Sequence, residues 1–127
     1  MLKDRDSSAI IAVSDIGRAK NFYQDTLGLT LLKEDAEGGV LAFRTGDTDL
    51  TVYRSDFAGT NKANAVTWAM KGDLLETVND LQGKGVTFER YDFPGMSFKD
   101  GVHEAGPVKL AWFKDPDGNI LHLIEGM

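Results

Sequence analysis

The sequence predicts an α+β fold of two tandem βαβββ modules whose curved sheets form a cleft. Three observations predict it. Short apolar, β-branched runs are arranged around one amphipathic helix, and the same order occurs twice along the chain. Glycine- and aspartate-bearing turns fall at corresponding places in the two copies. The 127 residues, 42% of them hydrophobic, suffice for a buried core and are too apolar for a disordered chain.

In the first copy, residues 8–14 (SAIIAVS) read as a strand. Asp15 is placed as an N-cap, Ile16, Ala19, Tyr23 and Leu27 recur at helical spacing, and Gly28 supplies the stop. A strand is expected over Leu29–Asp35, with a turn at Gly38-Gly39. Val40–Thr45 and Leu50–Arg54 then pair as a hairpin around Gly46-Asp47-Thr48. In the second copy, Asn64–Met70 reads as a strand. Asp73 and Glu76 have the spacing of a capping box, ahead of the apolar stripe Leu74, Leu75, Val78 and Leu81. Gly83 and Gly85 end that helix, and Val86–Tyr91 reads as a strand. Val108–Lys114 and Asn119–Glu125 form the last hairpin around Asp115-Pro116-Asp117-Gly118. The polar junction 56–62 is short, so the reading is a single domain, 1–127, with module one at about 7–55 and module two at about 63–126.

Composition excludes several functions. No run approaches the 18 apolar residues of a membrane span, and the N-terminus lacks an apolar signal core, so a cytoplasmic location is expected. There is no cysteine, hence no disulfide or thiolate chemistry. A net charge of -6 disfavours nucleic acid. No P-loop, dinucleotide fingerprint or Gly-x-Ser-x-Gly elbow is present.

The repeated βαβββ order resembles the vicinal oxygen chelate superfamily, which includes glyoxalases, bleomycin- and fosfomycin-resistance proteins and extradiol dioxygenases. Two stretches carry the resemblance. One is Val13-Ser14-Asp15-Ile16 with Ala19, Phe22-Tyr23 and Leu27-Gly28-Leu29. The other is Trp112-Phe113-Lys114-Asp115-Pro116-Asp117-Gly118-Asn119, running on to Leu123-Ile124-Glu125. The resemblance implies that metal-dependent members place His, Glu or Gln ligands on the first and last strand of each module. Here those positions carry Ser8, Thr51 (or Tyr53 with a two-residue slip), Ala65 and His122. Only His122 suits a divalent transition metal, and one ligand does not make a site. No metal cofactor is therefore expected; the fallback for a divalent metal is His122 joined by His103 and Glu104.

Strand parity then selects the cleft face. If His122 faces the cleft, Ile120 and Ile124 do too, while Leu121 and Leu123 pack under a helix. A three-residue loop pairs Asp115 with Asn119 and sets Trp112 opposite His122 and Leu110 opposite Ile124. Ser8, Ile10 and Ala12 share a face, as do Asp49, Thr51 and Tyr53, and Ala65, Thr67 and Ala69. The 92–107 stretch, with Phe93, Met96, Phe98 and His103, reads as a long loop: a lid, an interface, or a cover on its own module. The candidate ligand-binding residues are accordingly Trp112, Tyr53, Thr51, Thr67, Ser8, Ile124, His103 and Phe98, with His122 as the candidate catalytic acid or base.

Three functions fit these residues. The first is metal-free binding of a small aromatic or cationic molecule, of the resistance or sequestration type. The second is a metal- or His122-dependent glyoxalase-like lyase or isomerase, or a dioxygenase. The third is a partner-binding module without a small ligand. The resemblance also implies a homodimer.

Overall fold

The structure, a computed structural model, describes residues 1–35 and 37–126. The chain divides into two compact units, one ending at Gly59 and the other beginning at Thr60.

The first unit is a βαβββ module. β1 (Ala9–Val13) leads into α1 (Ile16–Lys20), then β2 (Thr30–Asp35), β3 (Val40–Thr45) and β4 (Thr48–Arg54), which form a four-stranded sheet in the order β1-β4-β3-β2. β1 and β4 are parallel and the other pairs antiparallel. Asp15 caps α1 by accepting the Arg18 N–H at 3.0 Å. Beyond Lys20 the helix widens into a π-helical turn, Asn21–Thr26, closed by the Leu27 N–H donating to Phe22 O at 2.9 Å. Alternation does the rest. Ile11, Val13, Leu41, Phe43, Leu50 and Val52 are all buried with Ala19 and Tyr23 of the helix. The residues between them, Ile10 and Tyr53 included, line the other face. The β3–β4 turn is tighter than the sequence reading. Thr45 pairs with Thr48, so Thr48 belongs to the strand and the loop is Gly46-Asp47, with Gly46 at φ 56.

The second unit starts as β5 (Asn64–Met70) and α2 (Leu74–Gly83). It continues through β6 (Ser97–Lys99), β7 (Val102–Ala105), β8 (Val108–Lys114) and β9 (Ile120–Glu125), in the sheet order β5-β9-β8-β7-β6. Leu74, Val78 and Leu81 of α2 are buried, as are Ala111, Phe113, Leu121 and Leu123 on one sheet face. The β8–β9 turn is the one the spacing predicts. The Asp115 N–H donates to Asn119 O at 3.0 Å, and Gly118 takes φ 87. Buried Asp115 holds the turn from inside: Oδ1 accepts from the Asp117 and Asn119 amides, and Oδ2 from Asn119 Nδ2 at 2.8 Å.

Three expectations change here. Residues 86–91 form no strand; only Phe88 bridges to Phe113, beside a Glu89 N–H to Trp112 O bond of 2.8 Å. The 92–107 stretch, read as a loop, contains the hairpin β6–β7, turning at Asp100 (φ 52) and Gly101 (φ 91). The ladder slot beside β8, which a single strand fills in the first unit, is thus shared. Phe88 takes one end, and β7 takes the other through His103↔Leu110, Glu104↔Lys109 and Ala105↔Val108. The apolar residues of the stretch bury on their own unit only in part: Val102 is 3% exposed and Phe98 packs half-buried against His103, while Phe93 touches Trp112 but stays 41% exposed. The capping box does not form either. Asp73 Oδ1 accepts the Lys71 N–H, and the first turn of α2 is capped by Glu125 of β9, whose Oε1 accepts the Leu74 N–H at 3.0 Å.

Candidate functional site

The β8–β9 register places Trp112 opposite His122 and Leu110 opposite Ile124, and β5 sets Thr67 beside His122 and Ala69 beside Ile124. The ladder continues outward through His103, opposite Leu110, to Phe98 on β6. Because opposed residues share a face, Phe98, His103, Leu110, Trp112, His122, Ile124 and Thr67 all lie on one side of the sheet. α2 covers the other side.

Rings dominate this face. Trp112 and His122 stack at 4.6 Å between centroids with planes 19° apart. His103 lies edge-on to Trp112 at 5.1 Å and to Phe98 at 4.7 Å. Tyr91, at the end of the segment expected as a strand, and Phe93, just beyond it, reach Trp112 at 5.3 and 5.4 Å. Beside these rings, Arg90, Tyr91, Asp92, Phe93, Pro94, Met96 and Phe98 line a solvent-open pocket of about 330 Å³, the lower end of the range for small-molecule pockets.

Hydrogen bonds fix the polar groups. His122 is 6% exposed and its Nδ1–H donates to Ala111 O at 3.1 Å, which leaves Nε2 with the lone pair. Burial lowers the His122 pKa from 6.5, against a smaller opposing effect of the Ala111 bond. The imidazole is therefore neutral at pH 7 and Nε2 is an acceptor or base. His103, 1% exposed, accepts the Tyr91 N–H at Nε2 (3.0 Å), and its buried Nδ1 has no partner among the described residues. Trp112 Nε1–H donates to Asn64 Oδ1 at 3.1 Å.

Asn64 is the residue sequence parity missed. Parity put Ala65 on this face, but β5 carries a bulge: Asn64 pairs with Ile120 and Val66 with Leu121, one residue too many. Asn64 thereby joins the face of Thr67 and His122. No local sequence signal marks the bulge.

The remaining predicted residues lie in the first unit. Thr51 of β4 sits between Ile10 and Ala42, and Tyr53 between Ala12 and Val40. Ser8 is exposed and precedes β1. The fallback metal group does not assemble. Glu104 follows His103 on β7 and so points to the opposite face, and His103 spends Nε2 on Tyr91. Among the described residues, no group of three or more His, Asp or Glu side chains could hold a metal ion. The implied positions carry hydroxyls at Ser8 and Thr51, a methyl at Ala65 and one imidazole at His122; Asn64, which takes the face expected of Ala65, brings an amide that already accepts from Trp112, and this donor chemistry does not fit a divalent transition metal.

The comparisons with known proteins agree on the fold. A glyoxalase family protein from Enterococcus faecalis is 22% identical, covering 98% of this chain and 100% of its own, with a TM-score of 0.73. A genomically encoded fosfomycin resistance protein from Listeria monocytogenes is 14% identical over 97% of this chain and 91% of its own, TM-score 0.71. A lactoylglutathione lyase from Agrobacterium tumefaciens is 16% identical over 96% and 93%, TM-score 0.69. No curated protein matches the chain. The family model for the Glyoxalase/Bleomycin resistance protein/Dioxygenase superfamily matches residues 7–123. With that match spanning both units, and the βαβββ order of the first unit behind it, the chain belongs to the glyoxalase/bleomycin resistance protein/dioxygenase superfamily.

Proposed function

We propose that this chain binds a small aromatic molecule without a metal, at the ring-lined face of the second unit and its adjoining cavity. The observation that carries this is the stack of Trp112 on His122, walled by Tyr91, Phe93, Phe98 and His103, beside an open pocket of about 330 Å³. Apolar rings with few polar points are what small-ligand sites present. His122 Nε2 supplies the acceptor, while Asn64 and Thr67 supply short polar groups on the same face. The donor chemistry at the superfamily's metal positions supports the metal-free part of the reading.

A second reading has one observation in its favour. A buried, unprotonated His122 with Nδ1 tied to Ala111 O is built as a general base through Nε2. It would serve a proton-transfer lyase or isomerase reaction.

The deciding experiment combines metal analysis with a ligand screen. Protein purified without chelators or a histidine tag should carry far less than one metal per chain. Added Fe, Ni, Mn, Zn or Co should not raise its melting temperature. An aromatic ligand library should yield binders that quench Trp112 in a Trp68→Phe background. Stoichiometric metal with a large thermal gain would overturn the metal-free reading, and a library without binders would overturn the binding reading. Turnover that His122→Ala abolishes, with the fold intact, would favour the second. We also propose a homodimer: Ile10, 61% exposed, and Tyr53, 37% exposed, leave apolar area uncovered on the open face of the first sheet.

A further inference from the structure

The pocket beside the ring-lined face has one cationic group, and it is only weakly paired. Arg90 lines the space, with its guanidinium carbon 5.1 Å above the centre of the Phe98 ring. Its Nε faces Asp92 Oδ1 at 3.8 Å, beyond hydrogen-bond distance, and Asp92 is 96% exposed, so the pair is weak. The two Nη groups make no hydrogen bond among the described residues. Arg90 is 67% exposed yet stays over Phe98, as a planar cation on an aromatic face does. Apart from Arg90 and Asp92, the lining is apolar or aromatic: Tyr91, Phe93, Pro94, Met96 and Phe98.

We infer that the cavity selects a small aromatic carboxylate, with the carboxylate held by the Nη fork of Arg90 and the ring against Phe93, Pro94 and Met96. The inference rests on the binding function proposed above and names its ligand class. A guanidinium fork matches a carboxylate in plane and in spacing, and a ring fills the apolar remainder. The chain's net charge of -6 alone would select a cation. Locally that preference is offset, because Arg90 balances Asp92 in the lining. Asp92 is the one acidic group in the lining and it faces Nε. Glu89 is paired with Lys114 at 3.5 Å, and Glu104 lies on the far face of β7. The Nη fork is the polar feature left open to a ligand.

The test uses 2-naphthoate and its neutral isostere 2-naphthamide, titrated calorimetrically into the full chain at low salt. Naphthoate should bind about tenfold tighter, the scale of one charge-assisted contact, and the preference should shrink as salt is added. Arg90→Gln should weaken naphthoate about tenfold and so bring the two affinities together. Phe93→Ala should weaken both ligands alike. Equal binding of the two by the unmodified protein, or a preference that survives Arg90→Gln, overturns the carboxylate assignment while leaving the binding site in place. Failure of both ligands in the millimolar range overturns it as well, and the library screen then decides the broader reading.

Discussion

His122 ties its pH behaviour to its burial. Desolvation lowers its pKa in the folded chain, while the unfolded chain titrates near 6.5. The unfolded state therefore binds the proton more readily, so this contribution to stability is complete above pH 6.5. It is lost as the pH falls from there through the lower, folded value. Urea midpoints should drop between pH 7.5 and 5.5, and the drop should be smaller in His122→Gln; an identical drop in both would remove His122 as its source. Asn64 makes a different prediction. Replacing it with Ala leaves the part-buried Trp112 indole N–H without its acceptor, which costs about 1 kcal/mol in urea unfolding. How much the sequence reveals differs between these two residues. The opposition of Trp112 and His122 follows from the loop length after Asp115, because a three-residue turn fixes register. Asn64 could not be read, because a bulge breaks the parity on which the reading depends.

Elements in the second unit are held by residues distant from them or buried inside their own turns. Glu125 on β9 caps α2 and also lies 3.9 Å from Lys109. Glu125→Ala should cost about 1 kcal/mol, close to the value of an N-cap, whereas Glu76→Ala should be near neutral. Equal losses for the two in chemical denaturation would restore the local capping box. Gly101 has φ 91, and a Cβ there would stand 2.9 Å from Phe88 Cβ. Gly101→Ala should therefore cost about 1–3 kcal/mol and expose the β6–β7 amides to hydrogen exchange. The signal for that hairpin is in the sequence: Asp100-Gly101 is a standard two-residue turn. It is hidden because the strands it joins are only three and four residues long and lie in a stretch rich in proline and glycine. The long strands β5, β8 and β9 were legible as continuous apolar or β-branched runs of six or seven residues bounded by turn residues. The helix cap was not, because its acceptor comes from residue 125 and no local window contains it.

For the whole chain, the proposed homodimer predicts a mass by light scattering of about twice 13.9 kDa; a monomer at micromolar concentration would end that proposal. The family itself was readable from the repeat and the Asp-Pro-Asp-Gly turn, since those features are set by backbone geometry. What the chain binds was not, because the superfold leaves chemistry to side chains. The shared slot beside β8 has a consequence for how such chemistry can change. Residues 90–96 leave the ladder after Glu89 bonds Trp112 O, and the chain rejoins it at β6 and β7. Most of the cavity wall is therefore an excursion between two fixed anchor points. Its residues can be exchanged, lengthened or shortened with few ladder bonds at stake. A graft of a foreign segment between Glu89 and Ser97 is then a way to give the same scaffold a new specificity, and selection could have used the same route.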